Sequence, residues 1–285
     1  MAKLSNIISE SKFLYHYTSI EALCSMLIEY QKKKSLENIT FWAGSIFTMN
    51  DPHEMKHGAE VLEILLPAIE HLFGLSPENS LDIQNLDREK VLKDISKTPF
   101  VISFSTNKDD LGMWNMYGDN GCGASLVFSN EIKPDPLNGV NNTGLVKVNY
   151  NKGVDDYPNL ADIFNSGIVE WRNYNEPDKI KECKERTLSK LYTQLCPYIK
   201  SEAYMKENEA RICYSDVPLN KVKFRTKNKN IIPYIEAPIP IKYFKGIQLG
   251  PCCNYELLEQ SLSFQLKICG IDIEIKRSNI PYRKM

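Results

Sequence analysis

The sequence lacks both a long apolar segment and an excess of charge of either sign. No apolar run approaches the roughly 20 residues that a membrane-spanning helix needs, and the mean hydropathy is −0.35. The 35 Lys and Arg residues are balanced by 36 Asp and Glu residues, whereas proteins that bind nucleic acid over a large surface are usually basic. We therefore expect no membrane association, and nucleic-acid binding only through a local patch.

The signals of a secreted protein are also lacking. A signal peptide needs a continuous apolar core, and there is none in the N-terminal segment MAKLSNIISESKF. The eight cysteines include no CxxC pair, and adjacent Cys252 and Cys253 have poor geometry for bridging each other. Reduced thiols and a cytoplasmic location are therefore expected.

The residues that are present predict a globular α+β protein. Hydrophobic residues make up 42% of the chain and charged residues 25%, which is ordinary for a folded domain. The predicted helices fall between groups of strands instead of alternating with them, and this order favours an α+β fold. No repeat or long linker divides the chain, so we predict a single domain over residues 1–285 with a helical insertion at about 158–208.

The element predictions follow from apolar periodicity and capping residues. We predict strands at 13–17, 39–49, 99–105, 124–128, 145–150, 210–214, 222–226, 231–235, 244–249 and 271–275. Helices are predicted after a capping box formed by Thr18 and Glu21, from an Asp51 N-cap towards Phe73, and at 81–97, 111–117 and 255–269.

A literal HExxH motif runs from His53 to His57. On a helix the two histidines would lie one turn apart and could bind zinc, with Glu54 as general base. A third ligand is needed, however, and no metzincin extension follows. The motif also falls in the first turn after Pro52, where a solvated helix start explains the same residues. Zinc-dependent hydrolysis is thus our third hypothesis, and we predict no metal site.

A basic alternation follows near the C-terminal third of the chain. At strand spacing its members share one face; they are Lys221, Lys223, Arg225, Lys227 and Lys229. This face could contact phosphates, although lysines also protect exposed edge strands from aggregation, and we favour that explanation for the lysines. Arg225 remains a candidate because a guanidinium binds phosphate or carboxylate bidentately. A non-catalytic nucleotide- or nucleic-acid-binding module is therefore the alternative function.

Further candidate residues are dispersed along the chain. They are His16, Tyr17 and Thr18 at the end of the first strand, Ser103 and Ser105 on one strand face, Trp114 and Tyr117 on one helix face, and Glu207, Glu209 and Arg211 entering a strand. Each has an ordinary explanation, namely a core histidine, buried hydroxyls, aromatic packing and a salt-bridged strand start.

Taken in order, these segments resemble an uncharacterised bacterial family with the motifs LYHYTS, NDPxE, FS, WxxYG, ExExR and SxIPYR. Here the motifs lie at residues 14–19, 50–54, 104–105, 114–118, 207–211 and 278–283. The resemblance makes the HExxH accidental, because His53 occupies the free position of NDPxE and His57 lies beyond that motif.

A more distant similarity points to the ADP-ribosyltransferase superfamily. The chain resembles it in an H-Y-T strand followed by a capped helix, a central aromatic and serine element, and a glutamate in a late strand. The resemblance implies a split, mostly antiparallel sheet with helical insertions and NAD as the substrate. It also implies ADP-ribosyl transfer to a protein or nucleic-acid acceptor, or NAD glycohydrolysis, as in a toxin or phage-defence effector.

The resemblance also assigns roles to individual residues. Glu209 would be the catalytic carboxylate, with Glu207 as the substitute, and His16 would hold the nicotinamide ribose. Tyr117 would stack on nicotinamide, with Trp114 as the alternative. The other residues expected to contact NAD are Tyr17, Thr18, Asn50, Asp51, Ser103, Ser105, Trp114 and Arg225.

These residue types suit the chemistry. Cleavage of the nicotinamide–ribose bond develops positive charge at C1′, which a carboxylate stabilises. A histidine that binds the ribose fixes its orientation, and an aromatic face packs the departing ring. If Glu209 pairs instead with Arg211 or Arg225, its carboxylate is structural.

Overall fold

The computed structural model describes residues 11–33, 37–75, 80–81, 97–150, 160–227 and 229–282. Its strands are β1 (Phe13–Thr18), β2 (Asn38–Ser45), β3 (Phe100–Ser105), β4 (Ala124–Ser129), β5 (Asn141–Lys147), β6 (Glu209–Ser215), β7 (Lys223–Lys227), β8 (Asn230–Pro240), β9 (Phe244–Leu249) and β10 (Glu274–Arg277). Its helices are α1 (Ile20–Lys32), α2 (Glu54–Leu72), α3 (Leu111–Tyr117), α4 (Leu160–Arg172), α5 (Pro177–Leu195) and α6 (Tyr255–Cys269). The predicted α+β class is confirmed.

The ten strands form one open, largely antiparallel sheet in the order β10-β9-β4-β1-β3-β2-β8-β7, with β6 paired to β3 and β5 to β6. Strand β6 pairs with β3 along its whole length, from Phe100 to Ser105. The opposite edge of β3 is therefore shared, because β2 pairs with its start at Val101 and β1 with its end at Ser105. We call the gap between β1 and β2 along this edge of β3 the fork.

Apolar clusters cover both faces of the sheet. Successive residues of β3 point to opposite faces, so Ile102 and Phe104 join the cluster that includes α1 and α6, whereas Val101 joins the cluster formed with α2, α4 and α5. The predicted helical insertion corresponds to α4, α5 and two short 3-10 turns before β6. These helices thus pack on the face opposite to α1 and α6.

Two helices begin later than the sequence predicts. Ser19, not Thr18, caps α1, since its Oγ accepts a hydrogen bond from the backbone N of Ala22 at 3.2 Å; Glu21 is therefore not at the capping-box position. Helix α2 begins at Glu54. Asp51 instead closes the preceding turn, where its Oδ1 accepts from the backbone N of His53 at 2.9 Å.

Several strand predictions are displaced. The strand predicted at 39–49 ends at 45 and continues as a 3-10 turn, the one at 145–150 is 141–147, and the one at 271–275 is 274–277. Only the central three of the five alternating cations lie in β7, because Lys221 is in a 3-10 turn and Lys229 has a positive φ of 65°. The helix predicted at 81–97 falls almost entirely outside the described residues.

Candidate functional site

His16 of β1 lies in the fork. Its Nδ1 donates a hydrogen bond to the carbonyl O of Ser103 in β3 at 2.8 Å. The imidazole also packs edge-on against Phe41 of β2 and Phe104 of β3, with ring centroids 5.0 and 5.9 Å apart. The His16 side chain therefore reaches from β1 across the fork to both β2 and β3.

The surroundings of His16 favour its neutral form. Burial lowers the pKa of His16, and the carbonyl of Ser103 opposes this effect; the positive charges of Lys227 and Arg225 lower the pKa further. Because Nδ1 donates to a carbonyl, Nε2 of the neutral ring is a hydrogen-bond acceptor. His16 can thus accept a hydrogen bond from a ligand hydroxyl.

Glu209 lies in β6, across β3 from β1, and its side chain points to the sheet face opposite to that of His16. It is the cross-strand partner of Ser105, and burial alone would raise its pKa. Instead Arg211 and Lys200 hold the pKa of Glu209 down to about 2, with a smaller contribution from the nearby hydroxyl of Ser103. Ser103 therefore lies between two predicted site residues, since its carbonyl contacts His16 and its hydroxyl approaches Glu209.

Glu209 is also part of a buried network of ion pairs. Arg211 binds its carboxylate bidentately, with Nε 2.7 Å from Oε1 and Nη2 2.8 Å from Oε2. Lys200 Nζ lies 3.0 Å from Oε2, and Arg211 pairs in addition with Glu54. The pairing with Arg211 that would make Glu209 structural is therefore present.

Glu207 connects this network to the surface. Lys200 Nζ lies 2.6 Å from its Oε2, and Tyr117 donates its hydroxyl to Oε1 at 2.7 Å. Asn50, which is exposed, donates in turn to the Tyr117 hydroxyl at 2.7 Å. Burial, followed by the negative charge of Glu207, strongly raises the pKa of Tyr117, so its hydroxyl stays protonated.

Other predicted residues are engaged in the fold. Trp114 is fully buried with its ring against Tyr17, 4.8 Å between centroids, so Tyr117 is the better placed of the two aromatics to contact a ligand. Tyr17 donates its hydroxyl to the carbonyl of Asn107 at 2.9 Å. Ser105 donates to the carbonyl of Glu207 at 2.6 Å.

Asp51 and Thr18 are two further residues that the sequence predicts to contact NAD. Asp51 is buried and supports the turn before α2. Thr18 is half-buried at the end of β1, where it pairs with Ala124. Neither side chain belongs to the ion-pair network around Glu209.

Arg225 is on the other side of the fork from this network. Its guanidinium lies over the ring of Trp42, 5.3 Å from the centroid, and 6.0 Å from that of Tyr234. Strand β7, which carries Arg225, forms an end of the sheet. Lys223 on the same face is paired with Glu236 at 2.7 Å.

The HExxH residues do not form a metal site in the described part of the chain, where no group of three His, Cys, Asp or Glu residues could hold a metal ion. Glu54 is buried and paired with Arg211. Burial raises the pKa of Glu54, and Arg211 opposes this effect. His53 and His57 instead line a shallow pocket of about 320 Å³, which neighbours a second pocket of about 220 Å³ that reaches Lys200.

Sequence reasoning missed Lys200, Tyr150 and Trp42. Lys200 pairs with both glutamates of the ExExR segment, and Tyr150 accepts a hydrogen bond from the backbone N of Glu209 at 3.0 Å. Trp42 follows a buried strand residue and gives no local sign that Arg225 covers it. No local sequence pattern marks these three residues, because their roles come from contacts with other segments of the chain.

Comparison with known proteins identifies a region of unknown function. Residues 113–212 match a family model described as "Protein of unknown function (DUF2971)". This match covers 100 of the 285 residues, including the WxxYG residues after Met113 and the ExExR segment. No curated protein and no solved structure has a significant match to the chain. Among the described residues, no helix has the length and apolar character needed to cross a membrane.

Proposed function

We propose that the protein binds NAD⁺ at the fork and cleaves the bond between nicotinamide and ribose, transferring ADP-ribose to an acceptor or to water. The observation that carries the proposal is the placement of His16 and Glu209 on either side of Ser103. The resemblance to ADP-ribosyltransferases assigned these two residues to ribose binding and catalysis. His16 reaches Ser103 from the sheet face of Phe41 and Phe104, and Glu209 reaches it from the opposite face, which packs on α2, so a substrate that meets both has to enter the fork.

His16 suits ribose binding. Its Nδ1 is fixed on the carbonyl of Ser103, so the ring orientation is set before a ligand arrives. Nε2 can then accept a hydrogen bond from a ribose hydroxyl. A pre-oriented contact of this kind reduces the entropic cost of positioning the sugar.

The pairing with Arg211 gives Glu209 a structural role, and the paired carboxylate suits electrostatic stabilisation better than proton transfer. With a pKa of about 2, it is ionised at neutral pH but is a weak base. The network contains the carboxylates of Glu54, Glu207 and Glu209 against the cations Lys200 and Arg211. When all are ionised, one negative charge is uncompensated and can stabilise positive charge at C1′.

Glu207 is the substitute carboxylate, and Tyr117 lies beside it. The Tyr117 ring is half-buried at the outer end of the network, where it can pack against the departing nicotinamide. Glu207 accepts the Tyr117 hydroxyl and can receive the proton of an incoming nucleophile. An enzyme with these properties would fit a toxin or phage-defence effector.

A non-catalytic nucleotide-binding module is the second candidate function. Arg225 favours it, because its cation lies on Trp42, away from the carboxylates. Such a module would bind NAD⁺ without releasing nicotinamide.

The test is nicotinamide release from NAD⁺, measured by liquid chromatography with and without cell lysate. We expect release by the wild type and a loss of at least about 100-fold in Glu209→Gln, because removal of one electrostatic stabiliser costs on the order of 10²–10³ in rate. Glu207→Gln compares the second carboxylate. Glu236→Gln is the matched control, since Glu236 is partly exposed and paired only with Lys223 in the described contacts.

Glu209→Asp protects this test against a folding failure of Glu209→Gln. It keeps the negative charge for Arg211 but withdraws the carboxylate by one methylene, so a folded and slow enzyme is expected. Circular dichroism checks the fold of each variant. The proposal is wrong if the folded wild type releases no nicotinamide with any lysate, or if Glu209→Asp and Glu207→Gln both keep full activity.

A further inference from the structure

Arg225 is held by aromatic rings instead of an acid. Its guanidinium carbon lies 5.3 Å from the Trp42 centroid and 6.0 Å from that of Tyr234. The two rings are themselves only 4.9 Å apart. Such contacts orient a cation without neutralising it, so Arg225 retains its full charge for a ligand.

Hydrogen-bond donors at this place lack acceptors. Arg225 Nε and Trp42 Nε1 are both buried, and neither has a hydrogen-bond partner among the described residues. Buried donors in folded proteins are nearly always satisfied, so two unsatisfied donors side by side suggest that an acceptor-rich ligand completes them.

Arg225 is followed along β7 by a second cation. Lys227 lies two residues further along β7 and therefore on the same face. Both cations are close enough to His16 to lower its pKa. Burial also lowers the pKa of Arg225, and no carboxylate of the described residues opposes this effect. Arg225 and Lys227 thus form a positive edge of the fork, and the neighbouring carboxylate of Glu236 is paired with Lys223 instead.

We infer that Arg225 and Lys227 form a diphosphate-binding subsite at the edge of the fork. A guanidinium binds two oxygens of one phosphate, and a lysine supplies a point charge to the neighbouring phosphate. The inference deepens the proposed function by placing the pyrophosphate of NAD⁺ here, and it rests on that function for the identity of the natural ligand. Binding of a free diphosphate requires no cleavage.

The arrangement favours a diphosphate over a nucleic acid. Extended backbone recognition needs a longer series of free cations. Of the five alternating cations, Lys221 and Lys229 lie outside β7, and Lys223 is already paired with Glu236. Arg225 and Lys227 are left, and two neighbouring cations match two linked phosphates.

Isothermal titration with inorganic pyrophosphate and with ADP-ribose tests the subsite. We expect both to bind the wild type, and Arg225→Gln to weaken both by about tenfold or more, as the loss of a charge-assisted contact predicts. Lys227→Gln should weaken binding less. Lys223→Gln is the matched control. It removes a cation from the same strand face, but Glu236 already neutralises this cation, so the affinity should be unchanged.

The outcomes separate this inference from the proposed function. Absence of pyrophosphate binding to the folded wild type, or equal losses in Arg225→Gln and Lys223→Gln, overturns the subsite. Arg225-dependent pyrophosphate binding without nicotinamide release would support the subsite and contradict the proposed function. Nicotinamide release that is unaffected by pyrophosphate and by Arg225→Gln would support the proposed function and contradict the subsite.

Discussion

At the residue scale, the site is dominated by charges removed from water. Lys200 and Arg211 are almost fully buried, together with Glu54, Glu207 and Glu209. Each buried ion loses hydration worth several kcal/mol, and only a close partner of opposite sign recovers this loss. The short contacts of Arg211 and Lys200 with Glu209 therefore make these pairs sensitive to the loss of any one member.

The sequence singles out the motif residues of the candidate site, but not their partners. His16, Tyr117 and Glu209 stand in short, specific motifs. Lys200 lies in a stretch that reads only as helical, and Trp42 reads as an ordinary strand residue. Both acquire their roles from contacts made across the fold, which local patterns do not encode.

Replacement of Glu209 by Gln should lower stability as well as activity. The substitution leaves Arg211 with an uncompensated part of its buried charge, and we expect the free energy of unfolding to fall by roughly 3–5 kcal/mol. Urea denaturation followed by circular dichroism measures this change. Glu236→Gln, at an exposed pair, should cost no more than about 1 kcal/mol; a similarly small loss in Glu209→Gln would contradict the account of the network.

At the element scale, capping residues predict the ends of two helices correctly, whereas the ends of other elements are displaced. The predicted bounds of α3 and α6 agree with the structure because Asp110 and Asn254 cap them with their side chains. Helix α2 begins later than predicted because Asp51 is used in a preceding turn. Strand β10 is displaced because its parallel pairing with β9 starts only at Glu274, and α6 is first closed by Gly270 with a positive φ of 67°.

Helix α2 also shows how packing overrides helix propensity. Gly58 lies inside α2, and a Cβ there would come within 2.7 Å of Cys196 Cβ and 2.8 Å of its carbonyl O. Propensity alone predicts that Gly58→Ala stabilises the helix by about 1 kcal/mol. We expect instead a net loss of roughly 1–3 kcal/mol in urea denaturation, because the turn at Cys196 would have to move.

Gly44→Ala is the control for this prediction. Gly44 is in β2, and a Cβ there meets nothing within 4 Å. The free energy of unfolding of Gly44→Ala should differ from that of the wild type by no more than about 0.5 kcal/mol. A stabilised Gly58→Ala would show that α2 and the Cys196 turn are less tightly packed than the structure indicates.

At the scale of the whole molecule, the fork results from non-local strand pairing. Composition and element order predict an α+β protein, but they do not specify that β6 pairs with β3 across about 100 residues of chain, as in Ser105 with Glu209. That pairing places Glu209 in register with Tyr15, the neighbour of His16, because Ser105 of β3 pairs with both. The mostly antiparallel sheet was expected only through the resemblance, because strand order is not encoded in any local sequence pattern.

The most direct test of the account is a proton NMR time course of NAD⁺ with the wild type and with His16→Ala. We predict that the wild type produces free nicotinamide, alone or with lysate, and that His16→Ala is slower by at least about 100-fold because the ribose is no longer oriented. Unchanged NAD⁺ in the presence of folded wild type and lysate would contradict the account. Equal rates for the two proteins would show that His16 does not take part in the reaction and that the fork is not its site.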